Sequence, residues 1–184
     1  MTTPADLARI DGLLADPHPF PPEDTDHATG RAGPGYRVEE LYVSRAFFDG
    51  EDGDDDEDGQ ACDREHHLAQ ARLDALAREF TTRWGSPQAV DLFSYLRASS
   101  DRDHQAPEPV ALLCQQAVTL HVWPLPGGRR WIGLSVGQAD KELPVVLHTT
   151  LAEGPAPAPT VPCGKPQDDR ADGLMAGPTP GSPA

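Results

Sequence analysis

The chain has 184 residues, of which 15 are Lys or Arg and 30 are Asp or Glu, and its formal net charge is −15. Nucleic acids and anionic membranes carry charge of the same sign, so the composition argues against both as partners. It permits a basic partner, a metal cation or simple solubility, and solubility is the simplest explanation. The sequence also shows no signal-peptide pattern at its start and no apolar run of membrane-spanning length.

The three cysteines, Cys62, Cys114 and Cys163, are widely spaced and form no C-x-x-C motif. An odd and scattered set does not make a disulfide framework, because small secreted domains usually pair their cysteines in even numbers. We therefore expect reduced thiols and a cytoplasmic protein.

The N-terminal part of the chain predicts one short helix followed by a linker. Thr3 can cap a helix that begins at Pro4, and apolar residues then recur at helical spacing as far as Asp16. Prolines, glycines and polar residues dominate the next segment and favour flexibility. The prediction is an N-terminal helix within residues 1–16 and a flexible linker over 17–35.

Residues 36–152 carry the apolar periodicity of a single α/β domain. Strands are predicted over residues 36–48 and 90–96, because these segments are rich in aromatic and aliphatic residues. Between them, residues 49–63 predict an acidic loop, and a long amphipathic helix follows over residues 64–83.

The clearest feature of this domain is a β-hairpin. Apolar residues alternate over 118–122 and again over 132–136, and the prolines and glycines of residues 124–128 turn the chain between them. Leu76 and Phe80 of the long helix should pack on this hairpin.

The end of the domain is ambiguous between helix and strand. Leu143, Leu147 and Leu151 have helical spacing, which favours a helix over residues 142–152, whereas the β-branched residues between them favour a strand. Residues 153–184 are rich in Pro, Ala and Gly and predict a disordered tail.

Together these elements predict a small α/β domain of the α+β type. Its mixed sheet includes a C-terminal β-hairpin, and one long helix and two or three short helices pack on the sheet.

An acidic segment matches the calcium-loop pattern D-x-D-x-D-G-x5-E. The candidate metal ligands are Asp54, Asp56, Asp58, Gln60 and Glu65. Alternating aspartates are common in any segment this acidic, and the element before the loop predicts a strand rather than the helix that the motif requires. A solvated connector is therefore the preferred interpretation, and calcium is the alternative cofactor.

Asp140, Lys141 and Glu142 follow the predicted second strand of the hairpin, where functional groups often lie on a rigid scaffold. They are a candidate partner surface, although capping and ion pairing explain such residues more simply. His66 and His67 are adjacent on a helix, so they point about 100° apart and do not easily bind one metal ion. No nucleophile-elbow, P-loop or dinucleotide motif occurs.

One sequence resemblance accompanies these patterns. Residues 131–144 read WIGLSVGQADKELP, and residues 83–87 read RWGSP. Both segments resemble short uncharacterised proteins of high-GC bacteria, over residues 38–152. The resemblance implies one bacterial domain and brings no known activity, cofactor or catalytic residue.

The predicted function is a non-catalytic, cytoplasmic protein-interaction domain of accessory, adaptor or immunity type that binds a basic partner and needs no cofactor. The first alternative is a calcium-binding module that uses the segment 54–65. The second is a small enzyme, which a deep pocket with convergent polar groups would favour.

Overall fold

The computed structural model describes residues 4–47, 55–99 and 106–160. These residues form a seven-stranded sheet with helices on both faces. The helices are α1 (Pro4–Ala15), α2 (Asp55–Trp84), α3 (Leu92–Ala98) and α4 (Val110–Leu113). The strands are β1 (Thr25–His27), β2 (Gly30–Gly33), β3 (Tyr36–Val43), β4 (Gln88–Asp91), β5 (Thr119–Pro124), β6 (Arg130–Gly137) and β7 (Val146–Glu153).

The strands follow the order β1-β2-β3-β7-β6-β5-β4 across the sheet. The predicted α/β fold class, with its long helix, is confirmed. The sheet differs from the expectation in one respect, because every described strand pair is antiparallel and the sheet is not mixed. Short connections join β1 to β2 to β3 and β5 to β6 to β7, and strands joined in this way are antiparallel. No helix within the described ranges is both long and apolar enough to cross a membrane.

The long helix α2 packs on the hairpin of β5 and β6, as the sequence predicts. Leu76 and Phe80 are fully buried in one cluster with Leu134. The Phe80 ring meets the Trp123 ring edge to face, with 5.2 Å between centroids and an interplanar angle of 87°. Such contacts add to the stabilisation that comes from burial of the rings.

The helices α3 and α4 cover the opposite face of the sheet. Side chains alternate between the two faces along a strand, so Val122 lies opposite Trp123. The cluster on this second face includes Leu92, Tyr95, Val110, Leu113, Leu120, Val122 and Trp131. The sheet is therefore buried on both faces near β5 and β6.

The segment 17–35, expected to be a flexible linker, contains two strands. β1 and β2 pair with each other, and β2 pairs with β3. Gly30 permits this close approach, because a Cβ atom there would lie 2.0 Å from the carbonyl oxygen of Val38. The Tyr36 hydroxyl donates a hydrogen bond to Asp24 at 3.0 Å and fixes the chain directly before β1.

The end of the domain is a strand, so the preference for a helix over residues 142–152 is wrong. β7 pairs with β3 on one side and with β6 on the other. Leu147 and Leu151 are fully buried, and the β-branched Thr149 and Thr150 fit the extended backbone of a central strand.

The strand predicted over residues 90–96 ends at Asp91 and gives way to α3. The Asp91 carboxylate accepts hydrogen bonds from the amides of Phe93 at 3.0 Å and Ser94 at 3.3 Å. It therefore satisfies two amides that the first turn of α3 leaves without helical partners.

The predicted acidic loop over residues 49–63 is partly helical, because α2 begins at Asp55. Acidic residues are favoured at the start of a helix, since their charge complements the helix dipole. Residues 49–54 lie outside the described residues.

The first part of the predicted disordered tail is placed against β4 and α3. Three consecutive carbonyls of residues 157–159 accept hydrogen bonds, from Gln88 Nε2 to Pro157 at 2.7 Å, from the Tyr95 hydroxyl to Ala158 at 3.0 Å and from the Asp91 amide to Pro159 at 2.8 Å. The disorder predicted for residues 161–184 falls outside the described residues.

Candidate functional site

The proposed partner residues Asp140, Lys141 and Glu142 lie exposed on the turn between β6 and β7. The turn is closed by a hydrogen bond from the Leu143 amide to the Asp140 carbonyl at 2.9 Å. The Phe47 amide donates to the Glu142 carbonyl at 3.0 Å and ties the turn to the chain that follows β3. The backbone of the turn is therefore fixed while its charged side chains face solvent.

Gln138 joins this turn to α2. Its Nε2 atom donates to the carbonyls of Lys141 at 3.1 Å and Leu143 at 2.7 Å. Its Oε1 atom accepts from the Cys62 thiol at 3.5 Å and lies 3.1 Å from His66 Nε2. One amide side chain thus connects the turn to the first part of α2. We call the surface formed by residues 138–143 and 59–66 the acidic end.

The acidic end combines negative charge with exposed apolar groups. Asp63 on α2 is exposed, as are Asp140 and Glu142. Leu143 is 47% exposed, and Val43 at the end of the neighbouring β3 is 46% exposed. An apolar group surrounded by charge is the arrangement found at many protein–protein interfaces.

The candidate calcium ligands do not form a loop. Asp56, Asp58, Gln60 and Glu65 lie within α2, and Asp54 lies outside the described residues. At about 100° per residue, Gln60 and Glu65 point to different sides of the helix. Glu65 instead accepts a hydrogen bond from the Tyr42 hydroxyl. Among the residues whose side chains the structure describes, which do not include residues 55–58, no group of three or more His, Cys, Asp or Glu could hold a metal ion.

A second site, which the sequence analysis missed, is a cleft of about 320 Å³ between α1 and the sheet. Glu39 on β3 lines this cleft and is only 8% exposed. One Glu39 oxygen accepts from Arg37 Nε at 2.7 Å, and the other accepts from the Thr29 hydroxyl at 2.7 Å and from Arg9 at 3.1 Å. A buried carboxylate therefore holds two arginines from separate elements.

The hydrogen bonds determine the charge state of Glu39. Burial alone would raise the pKa of its carboxyl, but the bonds from Thr29 and Arg37 outweigh burial and lower the pKa below its usual range. Glu39 is therefore ionised at neutral pH, and it keeps the guanidinium groups of Arg9 and Arg37 in place.

The cleft has the convergent polar groups that the enzyme alternative requires. None of the described residues that line it is a Ser, Cys or His. Its charged groups and the hydroxyls of Thr29 and Thr149 can bind a polar ligand. The sequence carries one signal for this site. Arg37 and Glu39 are two residues apart on β3, so both side chains lie on the face of the strand beneath α1.

A row of buried polar residues lies across the opposite face of the sheet. His148 on β7 is directly opposite Ser135 on β6 and Glu40 on β3. His148 is 3% exposed and Ser135 is fully buried. Within the described part of the chain, His148 Nδ1 and the Ser135 hydroxyl have no hydrogen-bond partner.

No protein-family model matches the chain, and no curated protein and no solved structure is significantly similar to it. The fold and sites define an antiparallel α/β domain with an acidic end and a polar cleft.

Proposed function

We propose that this protein is a non-catalytic, cytoplasmic interaction domain that binds a basic protein partner through the acidic end. The observation that supports this proposal best is the pair of contacts from Gln138 Oε1 to Cys62 and His66, together with its two bonds to the turn. They make one fixed surface from two segments that are far apart in sequence.

The charge of the acidic end suits a basic partner. Asp63, Asp140 and Glu142 are exposed there beside Arg64 and Lys141, so the exposed acids outnumber the exposed bases, and the whole chain carries a formal net charge of −15. Complementary charge speeds association and excludes acidic competitors, while exposed apolar groups such as Leu143 provide surface that can be buried. Because the turn is already held by its own hydrogen bonds, its backbone would lose little conformational freedom on binding.

The cytoplasmic location is part of the same proposal. Cys62 and Cys114 are free thiols, and a reducing compartment keeps thiols in that state. Accessory, adaptor and immunity proteins all act through contacts of this kind, and the proposal covers all three types. It specifies the surface of this protein that is used and the positive charge of the partner.

The test is a comparison of charge-neutralised variants in partner capture followed by affinity measurement. Asp140→Asn with Glu142→Gln removes two charges from the acidic end without changing the backbone bonds. Glu23→Gln with Glu79→Gln removes two exposed charges elsewhere and serves as the control. We expect a basic partner whose affinity falls about tenfold or more with the first pair, which is about 1.4 kcal/mol, and little with the second.

The affinity for that partner should also fall as the salt concentration rises, because exposed charges are screened within about 10 Å at 0.1 M salt. A partner that binds both double variants equally well would place the interface elsewhere and contradict the proposal.

A further inference from the structure

We infer that the cleft beneath α1 binds a small aliphatic zwitterion of the α-amino-acid type. This goes beyond the proposed interaction surface, because the cleft is lined by α1, β3, β7 and the turn before β2, whereas the acidic end belongs to α2 and the β6–β7 turn. Its volume of about 320 Å³ lies at the lower end of the range for small-molecule sites.

The positive group for such a ligand is Arg37. Its Nε atom donates to Glu39 at 2.7 Å, and its two terminal nitrogens donate to no acceptor among the described residues. The side chain is 31% exposed, so a ligand can reach it. A guanidinium group whose orientation is already fixed can bind a carboxylate through two parallel hydrogen bonds.

Arg9 has a different part in the cleft. It donates to the Glu40 carbonyl at 3.0 Å and to the Glu39 carboxylate at 3.1 Å. It thereby fixes α1 to β3. Its positive charge balances the negative charge of the buried Glu39, so the positive charge of Arg37 can attract a ligand.

The negative group is Asp16, just after the C-terminus of α1. One of its oxygens accepts from the His18 amide at 2.8 Å, and its own amide donates to the Gly12 carbonyl at 3.1 Å. The end of a helix adds partial negative charge at this point. An ammonium group is therefore favoured here, and a dianion such as phosphate is disfavoured.

Apolar side chains form the remaining wall. Ile10, Leu13 and Leu41 line the cleft beside the hydroxyls of Thr29 and Thr149. A ligand with a carboxylate, an ammonium group and an aliphatic side chain matches the cation, the anion and this wall together. A simple fatty acid or amine matches only part of the site.

Gly12 provides a second and independent observation. It lies inside α1 and lines the cleft, yet a Cβ atom there would meet nothing within 4 Å. Glycine weakens a helix relative to almost any other residue, and the packing around this position does not require it. Gly12 is exposed, so a larger side chain has room at this edge of the cleft.

The experiment is isothermal titration calorimetry on the full chain at neutral pH with leucine, valine and methionine. Two further probes are truncated forms of leucine. The first, 4-methylpentanoate, lacks the ammonium group, and the second, 3-methylbutylamine, lacks the carboxylate. We expect at least one amino acid to saturate a single site. If leucine is that ligand, each truncated probe should bind at least tenfold more weakly.

Three variants locate the binding site. Gly12→Leu should fill the cleft and lower the affinity more than tenfold without lowering the melting temperature, since leucine favours helix. Asp16→Asn should weaken binding of the amino acid but not of 4-methylpentanoate, and it leaves the Glu39 bonds intact. Arg31→Gln, on the neighbouring β2, is the control and should leave the affinity unchanged.

Two results would overturn the inference. One is the absence of saturable binding by all three amino acids to the folded wild-type protein. The other is binding that Gly12→Leu and Asp16→Asn leave unchanged, which would place the ligand outside this cleft. Neither result bears on the acidic end, whose test uses different residues.

Discussion

The buried His148 should make the protein less stable in mild acid. It lies on the central strand β7, 3% exposed, and burial lowers the pKa of its imidazole from the usual 6.5 to about 4. The groups directly opposite it are Ser135 and Glu40. Below about pH 6.5 the unfolded chain takes up a proton at this residue, whereas the folded chain does so only near pH 4.

The size of the effect follows from this difference in pKa. Because the unfolded state binds more protons in this window, the free energy of unfolding falls as the pH falls from 6.5 to 4. The full loss is about 3 kcal/mol, and about 2 kcal/mol of it should appear between pH 7 and pH 5. For a chain of this size, about 2 kcal/mol corresponds to about 4–8 °C in melting temperature.

Urea denaturation at several pH values measures this loss directly. His148→Gln cannot take up the proton, so its unfolding free energy should fall about 2 kcal/mol less than that of the wild type between pH 7 and pH 5. Other acid-sensitive groups, such as Glu39, contribute equally to both proteins and cancel. His67→Gln, at an exposed position of α2, should behave like the wild type. Parallel pH profiles for the wild type and His148→Gln would refute the reasoning.

Three further expectations can be checked. Phe80→Ala should cost about 3–5 kcal/mol in urea denaturation, whereas Phe93→Ala, 52% exposed on α3, should stay within about 0.5 kcal/mol; equal losses would contradict the assigned core. Tyr95→Phe removes the donor to the Ala158 carbonyl, so it should lower the free energy of unfolding by about 1 kcal/mol. It should also speed limited proteolysis over residues 154–160. An unchanged cleavage rate would show that the hydroxyl does not hold this segment. Calorimetric titration with calcium should give no saturable heat with the wild type or with Glu65→Gln, and a micromolar site that the substitution abolishes would establish a calcium loop.

Local patterns predicted the elements whose two faces differ. The helix α2 shows a clear period because one side packs on the sheet and the other faces solvent. Strands β5 and β6 are buried on both faces, but in each of them aliphatic residues alternate with polar, aromatic or small ones, and this alternation gives the period of two. Leu76 and Phe80 could therefore be placed in the core from spacing alone, and both are fully buried.

The strand β7 could not be recognised in this way. It is buried on both faces, so its polar residues His148, Thr149 and Thr150 do not alternate with solvent exposure. Leu147 and Leu151 are four residues apart. This spacing places them on one side of a helix, about one turn apart, and also on one face of a strand, two repeats of its two-residue period apart. The pairing with β3 and β6 decides between them, and that pairing is not a local property.

The cleft was missed for a similar reason. Arg9, Asp16, Arg37 and Thr149 belong to segments that only the folded sheet brings together. The sequence singles out Asp140 as a candidate partner residue, because consecutive charges at a strand end are a local signal. The connection of this turn to Cys62 through Gln138 depends on tertiary packing and carries no sequence pattern.

The position of β7 has a consequence for synthesis of the protein. Strands β1 to β3 and strands β4 to β6 form two separate ribbons, and β7 is the strand that joins them. During translation both ribbons leave the ribosome before β7, so neither can complete its apolar face until the chain as far as Glu153 is free. Unpaired edges and exposed apolar surface favour aggregation during this interval. The nascent chain should therefore depend on chaperones until late in synthesis, however stable the finished fold is.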